Sequence, residues 1–349
     1  MPESRVFLFG AGASKAEGGL LTSELLFESL RNPDVEGQYT SIVKAFLKDL
    51  FRIENAENIT SVQQMPGFEE LLTIVDIALL KQEEFSITWN KNALLRLREA
   101  LIYCIARVLK IHLRPPAGED QYQKYHKAFI QTLLDEESMT CKNSFISLNY
   151  DILLDQAILN RYPRTYIDYG VSFRNIPESR LEPGIKVLKL HGSLNWAFCP
   201  VCNSLQLSLS GKIADTIVTE KMPCSRDNAA QQPLLIPPTW LKIYDNAHLV
   251  KIWLDAEHIL REATTVFFIG YSLPDSDFHV RYLLKKALYR SQNRPRLAVI
   301  TSSRNPESSD LHKRYKRFFG EIEYYPVGFE EFSDNAIDYL RGPSQTRVG

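Results

Sequence analysis

Short apolar segments alternate with longer amphipathic ones along most of the chain. Short apolar runs predict buried strands, and apolar residues that recur every three or four positions predict helices. The predicted strands are residues 5–9, 144–148, 186–190, 265–269 and 296–301. The helices predicted beside them are residues 20–30, 152–160, 251–262 and 278–290. This alternation predicts an α/β fold with a mostly parallel, Rossmann-like sheet.

Two segments interrupt the alternation. Residues 32–137 carry one amphipathic helical pattern after another and almost no strand pattern. Residues 199–229 are rich in polar residues and contain three cysteines. We therefore expect a large helical insertion at 32–137 and a small zinc-ribbon-like insertion at 199–229. The Rossmann-like core would then consist of residues 1–31, 138–198 and 230–340.

Composition and charge exclude several classes of protein. The 349 residues are 44% hydrophobic and 24% charged, which is typical of a folded globular chain. Lys and Arg (41) balance Asp and Glu (42), so the whole chain offers no electrostatic footprint for nucleic acid. We interpret the basic cluster at 313–317 as the solvated face of a helix.

The apolar runs and the cysteines indicate a compartment. No apolar run approaches the roughly 18 residues of a membrane span, and the run at 6–9 is too short for a signal peptide. The five cysteines are an odd number in a long chain, which makes a disulfide framework a poor explanation. We therefore expect a cytoplasmic protein with no membrane partner.

Polar or glycine-rich residues follow four of the predicted strands, at 10–14, 149–151, 191–193 and 270–272. In a parallel sheet these segments meet at one edge, where ligands bind. The first segment, Gly10-Ala11-Gly12-Ala13-Ser14, opens a helix, so its backbone N–H groups suit a diphosphate. Lys15 stands in place of the third glycine of the usual Rossmann fingerprint. A tight connection without a ligand is the alternative interpretation.

Two side chains after strands are candidates for chemistry. The amide of Asn149 suits a ribose hydroxyl or a positioned water, and His191 is a candidate general base. The alternative is that Asn149 and Asp151 cap the helix that follows, which is the simpler explanation for Asp151, and that His191 is a structural histidine. Ser272, after Gly270, suits a phosphate or a ribose.

Three cysteines and one aspartate form a candidate metal site. Cys199 and Cys202 have the Cys-x-x-Cys spacing of zinc ligands, and Cys224 adds a third thiolate. Asp227 stands where a fourth cysteine is expected, and a carboxylate is also a zinc ligand. The alternative is three free thiols in a module that holds no metal.

The order of the motifs resembles the sirtuin-like fold. GAGAS, LNYD, LHGS, the Cys-x-x-Cys module and GYSL occur in this order over most of the chain. The resemblance implies an NAD-binding Rossmann-like core with a helical and a zinc module. It implies that Gly10, Ala11, Gly12, Ala13 and Ser14 bind the diphosphate, Asn149 and Asp151 the nicotinamide-side ribose, His191 acts as the base, Gly270 and Ser272 contact phosphate or ribose, and Thr301 and Ser302 lie at the adenosine end.

Departures from the sirtuin pattern indicate a different acceptor. Sirtuin deacetylases carry GIPDFR after the glycine loop, where this chain has GGLLTSEL, and an FGE loop where this chain has LLIPPTW. The triplet at 319–321 lies beyond the last nucleotide strand and is not that loop. The chain looks more like bacterial sirtuin-like proteins that hydrolyse NAD in antiphage defence.

The resemblance therefore implies an NAD glycohydrolase (NADase) with NAD as its substrate and water as the acceptor. Because unregulated hydrolysis of NAD starves the cell, we expect gating by homo-oligomerisation or by a partner protein through the helical insertion. Two alternatives stay open. One is an NAD-dependent protein deacylase, and the other is a non-catalytic nucleotide-sensing or assembly subunit.

Overall fold

The centre of the fold is a parallel sheet of seven strands. The computed structural model describes residues 3–113, 123–135, 141–162, 166–176, 184–208, 211, 213–236, 246–302 and 310–342. The strands of this sheet are β1 (Glu3–Phe9), β2 (Cys141–Ser147), β3 (Ile167–Asp168), β4 (Ile185–Lys189), β8 (Thr265–Ile269), β9 (Arg296–Ile300) and β10 (Glu323–Tyr325). Their order is β10-β9-β8-β1-β2-β4-β3, and neighbouring strands are parallel. The predicted α/β fold class is confirmed.

Helices cover the sheet and form a separate layer beside it. They are α1 (Ala11–Lys15), α2 (Leu25–Arg31), α3 (Gln38–Phe51), α4 (Phe68–Lys81), α5 (Lys91–His112), α6 (Lys124–Asp135), α7 (Leu153–Arg161), α8 (Ala214–Glu220), α9 (Ala247–Glu262), α10 (Phe278–Tyr289), α11 (Asp310–Phe319), α12 (Phe329–Asp334) and α13 (Ala336–Arg341). In the part of the chain that the structure describes, none of them combines the length and the apolarity that a membrane crossing requires.

The five predicted strands are present, with ends displaced by at most three residues. Their central positions are buried on both faces, which is why they read as continuous apolar runs. The helix predicted at 20–30 is present only from residue 25, so its predicted start is wrong. The carboxylate of Glu24 accepts a hydrogen bond from the backbone N–H of Leu21 (2.8 Å), and residues Thr22–Glu24 form a 3₁₀ turn. The α-helix therefore begins only at Leu25.

A second, antiparallel sheet carries the cysteine module. Its strands are β5 (Gly192–Phe198), β6 (Leu205–Leu207) and β7 (Gln232–Leu235), in the order β6-β5-β7. The local pattern does not predict these strands. β6 and β7 have only three and four residues and are partly buried. β5 has seven residues, but polar and small residues interrupt its apolar positions, so it does not form a continuous apolar run.

The apolar interior divides into two cores. One surrounds the parallel sheet and includes Phe129 and Leu133 of α6. The other lies among α2, α3, α4 and α5, and it also takes in Leu194 of β5 and Ala214 of α8. Of the helices in residues 32–137, α6 therefore packs with the sheet, whereas α3 to α5 pack with each other.

The strand order reverses at β1. From β1 the chain builds β2, β4 and β3 on one side and then returns to build β8, β9 and β10 on the other. In open parallel sheets, ligands bind at such a switch point, beyond the carboxyl ends of the strands. The loops after β1 and β8 meet there.

Candidate functional site

A cleft of about 640 Å³ opens at the carboxyl ends of the parallel strands, at this switch point. Its walls come from the loops after β1, β2, β4, β8 and β9 and from the first turns of α4 and α12. The predicted site residues that line it are Gly10, Ala11, Gly12, Asn149, His191, Gly270, Ser272, Thr301 and Ser302. The fold thus brings together residues from five separate segments.

Three predicted site residues lie beneath the cleft and do not line it. Ala13 is fully buried, and Ser14 and Asp151 are 4% and 7% exposed. Any part that Ser14 and Asp151 take in the site is therefore indirect, through the side chains that they contact.

The two loops at the switch point pack directly on each other. The backbone N–H of Gly10 donates to the carbonyl of Ile269, and that of Gly12 donates to the carbonyl of Gly270, both at 2.9 Å. A Cβ atom on Gly12 would lie 2.8 Å from the Gly270 carbonyl oxygen. Gly270 itself has a φ of 61°, which only glycine adopts without strain. Loop packing therefore explains these glycines without a ligand.

Hydrogen bonds beneath the cleft determine how the Asn149 amide is oriented. Its Nδ2 group donates to the Gly10 carbonyl (3.0 Å) and to the Ser14 hydroxyl (2.8 Å). Ser14 donates in turn to Oδ2 of Asp151 (2.6 Å), whose Oδ1 accepts from the backbone N–H of Leu153 (3.0 Å). Both amide hydrogens of Asn149 are used, so what this side chain can offer a ligand is an acceptor, Oδ1.

Asp151 also binds the start of a helix. Its Oδ1 accepts from the Leu153 N–H and so satisfies one of the free donors in the first turn of α7, although the N-cap position itself is Ile152. Both carboxylate oxygens of Asp151 thus have partners inside the protein.

The buried side chain of Lys189 binds the backbone at Asp151 and the carboxylate of Asp155. The Lys189 amine, at the end of β4, donates to the Asp151 carbonyl and forms an ion pair with Oδ2 of Asp155 (3.3 Å). The Tyr169 hydroxyl donates to the other oxygen of Asp155 (2.6 Å). Burial and this carboxylate raise the pKa of Tyr169 well above its ordinary value, so the phenol stays a donor. The network ties the end of β4 to the start of α7.

The ring of His191 has a defined proton position. The side chain is 6% exposed, and its Nδ1 lies 3.0 Å from the carbonyl oxygen of Leu148. A carbonyl only accepts, so Nδ1 carries the hydrogen and the lone pair of the neutral ring is on Nε2. That tautomer is the one a general base at Nε2 requires.

Two aromatic rings flank His191. The ring centres of Tyr150 and Trp253 lie 6.3 and 6.4 Å from that of the imidazole. The Tyr150 hydroxyl donates to the Ile236 carbonyl (2.6 Å), and the Trp253 indole donates to the Leu190 carbonyl (2.9 Å). These bonds hold both rings in place and limit the motion of the histidine between them.

Two helix starts that the sequence pattern did not assign to the site also line the cleft. Residues 67–70 and 328–331 carry the same tetrapeptide, Gly-Phe-Glu-Glu, at the start of α4 and α12. In each copy the phenylalanine, Phe68 or Phe329, is buried and the first three residues line the cleft. The repeated tetrapeptide was a signal available in the sequence. The sequence did not indicate that the two copies face the same cleft, because they lie far apart along the chain.

The predicted metal ligands are brought together in the antiparallel module. One ligand atom from each of Cys199, Cys202, Cys224 and Asp227 lies within 4.8 Å of the other three. The sulfur atoms of Cys202 and Cys224 are 3.7 Å apart, and that of Cys199 is 3.4 Å from the Asp227 carboxylate. Tetrahedral zinc requires about 3.8 Å between two thiolates and about 3.5 Å between thiolate and carboxylate. The donor set and its spacing fit zinc.

The pKa values of three of these candidate ligands are shifted, and not all in the same direction. Burial raises the pKa of the Cys199 thiol to about 11, which agrees with its position as a donor to Asp227. The backbone N–H of Arg226 lowers the pKa of Cys224, and that of Ala229 lowers the pKa of Asp227.

Comparison with known proteins identifies the family. A sequence model of the SIR2-like domain matches residues 143–319, just over half of the chain. A variant of a Sir2 homologue in complex with ADP-ribose is 15% identical with a TM-score of 0.50, covering 100% of this chain and 96% of that one. A structure from work on the mechanism and regulation of Sir2 enzymes is 12% identical with a TM-score of 0.48, covering 97% and 93%. No curated protein matches. The first likeness agrees with the fold described above, and the extent of the domain match shows that this chain belongs to the SIR2-like family.

Proposed function

We propose that the cleft binds NAD and that the protein hydrolyses its nicotinamide–ribose bond. The observation that carries this proposal is the pairing of His191 and Asn149 on one cleft, each with its hydrogen-bonding role determined by the protein. The similar Sir2 homologue holds ADP-ribose, which is the product that this hydrolysis would release. The cleft also has a volume in the range of small-molecule sites.

The proposed reaction converts NAD⁺ and water into nicotinamide, ADP-ribose and a proton. The bond between C1′ of the ribose and the pyridine nitrogen breaks, and its electron pair neutralises the positive ring. A water oxygen bonds to C1′. Nε2 of His191 accepts the proton of that water and releases it to solvent. Oδ1 of Asn149 accepts a hydrogen bond from the water or a ribose hydroxyl and so orients it.

Water as the acceptor is supported by the segment that stands in place of the first deacetylase motif. The second replacement, LLIPPTW at 234–240, lies partly outside the described residues. The residues after the glycine loop form the 3₁₀ turn Thr22–Glu24, and Thr22 and Ser23 line the cleft. A deacylase would instead remove acetyl from a lysine peptide in an NAD-dependent assay. That activity is the direct test of the alternative.

We further propose that the protein is a gated effector of antiphage defence that depletes the cytoplasmic NAD pool. The helical layer of α3 to α5 supports a link between assembly and site, because residues 67–69 at the start of α4 line the cleft. The same layer exposes large apolar side chains that suit a second copy or a partner protein. They include Ile77, Leu80, Ile87 and Leu95, of which Ile87 is 96% exposed.

Light scattering with an activity assay tests the gate. We expect Leu80→Glu and Ile87→Glu to weaken assembly of the wild-type protein, with Leu159→Glu on the exposed side of α7 as the matched control. A wild-type monomer with full activity would contradict gating by self-assembly or by a partner.

We also propose that Cys199, Cys202, Cys224 and Asp227 hold a structural zinc ion. The ion would join the turn between β5 and β6 to the loop before β7. Such a site supplies stability and takes no part in the reaction.

Chromatography of nicotinamide and ADP-ribose after incubation with NAD tests the hydrolase. Asn149→Ala and His191→Ala should each lower release by at least about 100-fold. Asn160→Ala and His258→Ala, at exposed positions outside the cleft, are the matched controls. Wild-type rates in both cleft variants would refute the assignment. Saturable ADP-ribose binding without turnover under every assembly state would favour the nucleotide-sensing subunit.

A further inference from the structure

The cleft has an unbalanced charge. Among its described lining residues, Lys15 is the only lysine or arginine, whereas Glu69, Asp277 and Glu330 are carboxylates. A dinucleotide carries two negative charges on its diphosphate. The cleft therefore has one cationic side chain with which to compensate them.

Lys15 stands next to the glycine loop. It ends α1, whose first residues Ala11 and Gly12 line the same cleft. A lysine amine binds phosphate as a point charge and does not need the planar geometry of an arginine. The position that departs from the Rossmann fingerprint is thus also the position of the cation.

In the structure, Lys15 is paired with Glu24. Its amine lies 2.8 Å from both carboxylate oxygens, and the two side chains are 46% and 27% exposed. Glu24 has a second partner, the backbone N–H of Leu21 (2.8 Å), which holds the carboxylate in the 3₁₀ turn. Partly exposed ion pairs contribute little to stability, so the flexible lysine can exchange partners at small cost.

We propose that Lys15 is the diphosphate-binding residue of the cleft and that Glu24 is its counter-ion when no ligand is bound. When a dinucleotide enters, the amine moves from the Glu24 carboxylate to the diphosphate. Glu24 thereby competes with the ligand and sets its affinity. This inference rests on the proposed function, because it takes a diphosphate-containing dinucleotide as the ligand.

Titration calorimetry with ADP-ribose tests the proposal without any need for turnover. Lys15→Met should weaken binding about tenfold, the effect of losing a charge-assisted contact. Glu24→Gln should tighten binding about two- to fivefold, because an exposed pair no longer competes. Lys15→Arg should bind close to the wild type. Lys48→Met is the matched control, since Lys48 forms a similar exposed pair with Glu54 outside the cleft (2.7 Å).

The double variant Lys15→Met/Glu24→Gln separates direct contact from a change in net charge. It should still bind ADP-ribose more weakly than the wild type, because the contact is missing. Wild-type affinity in the double variant, or in Lys15→Met, would overturn the inference and leave the proposed function standing. A wild-type protein that does not bind ADP-ribose would overturn both. Thermal melting of each variant confirms that it is folded.

Discussion

The Ser14 hydroxyl donates a hydrogen bond of 2.6 Å to Oδ2 of Asp151, and both side chains are buried beneath the cleft. Because a carboxylate only accepts, this bond directs the Ser14 hydrogen away from Asn149. The serine oxygen is then free to accept from the Asn149 amide, and the amide oxygen is left for a ligand. One buried bond thus determines which atom of Asn149 is available in the cleft.

Replacing Ser14 tests this positioning role. We expect Ser14→Ala to lower nicotinamide release about tenfold, because the Asn149 amide loses one of its two hydrogen-bond acceptors. The dissociation constant of ADP-ribose should stay within about twofold of the wild-type value, because no contact with the ligand is lost. Hydrogen exchange of the Asn149 side-chain amide, observed in protein labelled with ¹⁵N-asparagine, should become faster.

The resonance of that amide is assigned from its loss in Asn149→Ala. A large rise in the ADP-ribose dissociation constant of Ser14→Ala, with unchanged amide exchange, would instead place the serine on the ligand.

The buried pair of Lys189 and Asp155 makes a prediction about stability. Lys189→Met should lower the free energy of unfolding by about 3–5 kcal/mol, because it leaves the carboxylate of Asp155 buried without its cation. Urea unfolding followed by tryptophan fluorescence measures the change. The double variant Lys189→Met/Asp155→Leu should recover part of the loss, since both charges are then absent. Equal stability of wild type and Lys189→Met would contradict the importance of the pair.

The cysteine cluster makes a prediction about metal content. Purified protein should contain one zinc ion per chain by mass spectrometry, and Cys224→Ala should lose it and melt at a lower temperature. Cys104→Ala is the control, because that cysteine lies in the core of α2 to α5, away from the cluster. Zinc-free wild-type protein that melts unchanged after zinc is added would refute the site.

The ion pair between Glu257 of α9 and Lys286 of α10 should make the stability of the protein depend on pH. Hydrogen bonding to Lys286 (2.6 Å), with a further contribution from Arg290, holds the pKa of Glu257 below its ordinary value of 4.5. A lowered carboxyl pKa stabilises the fold above the unfolded-state pKa, and this contribution is lost as the pH falls through the folded-state pKa. Glu257→Gln should therefore destabilise the protein at neutral pH and less so in acid.

Urea unfolding of both proteins at neutral pH and near pH 3 measures this difference. Glu321→Gln, at a side chain that is 97% exposed, is the control and should change stability little at either pH. If Glu257→Gln lowers the free energy of unfolding equally at both pH values, the ion pair is not the cause of the destabilisation.

Local pattern was sufficient for five of the seven described strands of the parallel sheet. The strands at residues 265–269 and 296–300 are recognisable because burial on both faces requires a continuous apolar run. The 3₁₀ turn at Thr22–Glu24 was missed because apolar spacing does not register the hydrogen bond from Leu21 to Glu24. Strand β3 has two residues, too few for any period to be visible.

The sequence by itself determined the fold class, the loops that follow the strands and the residue types available for chemistry, because each depends on neighbours along the chain. Only the tertiary structure decided what those residues do together. Ser14 and Asn149 are 135 positions apart, and the direction of their hydrogen bond depends on a third residue, Asp151. The two Gly-Phe-Glu-Glu segments likewise meet at one cleft through packing between distant elements. Hydrogen-bond direction and shared walls are properties of contacts in space, which no local pattern encodes.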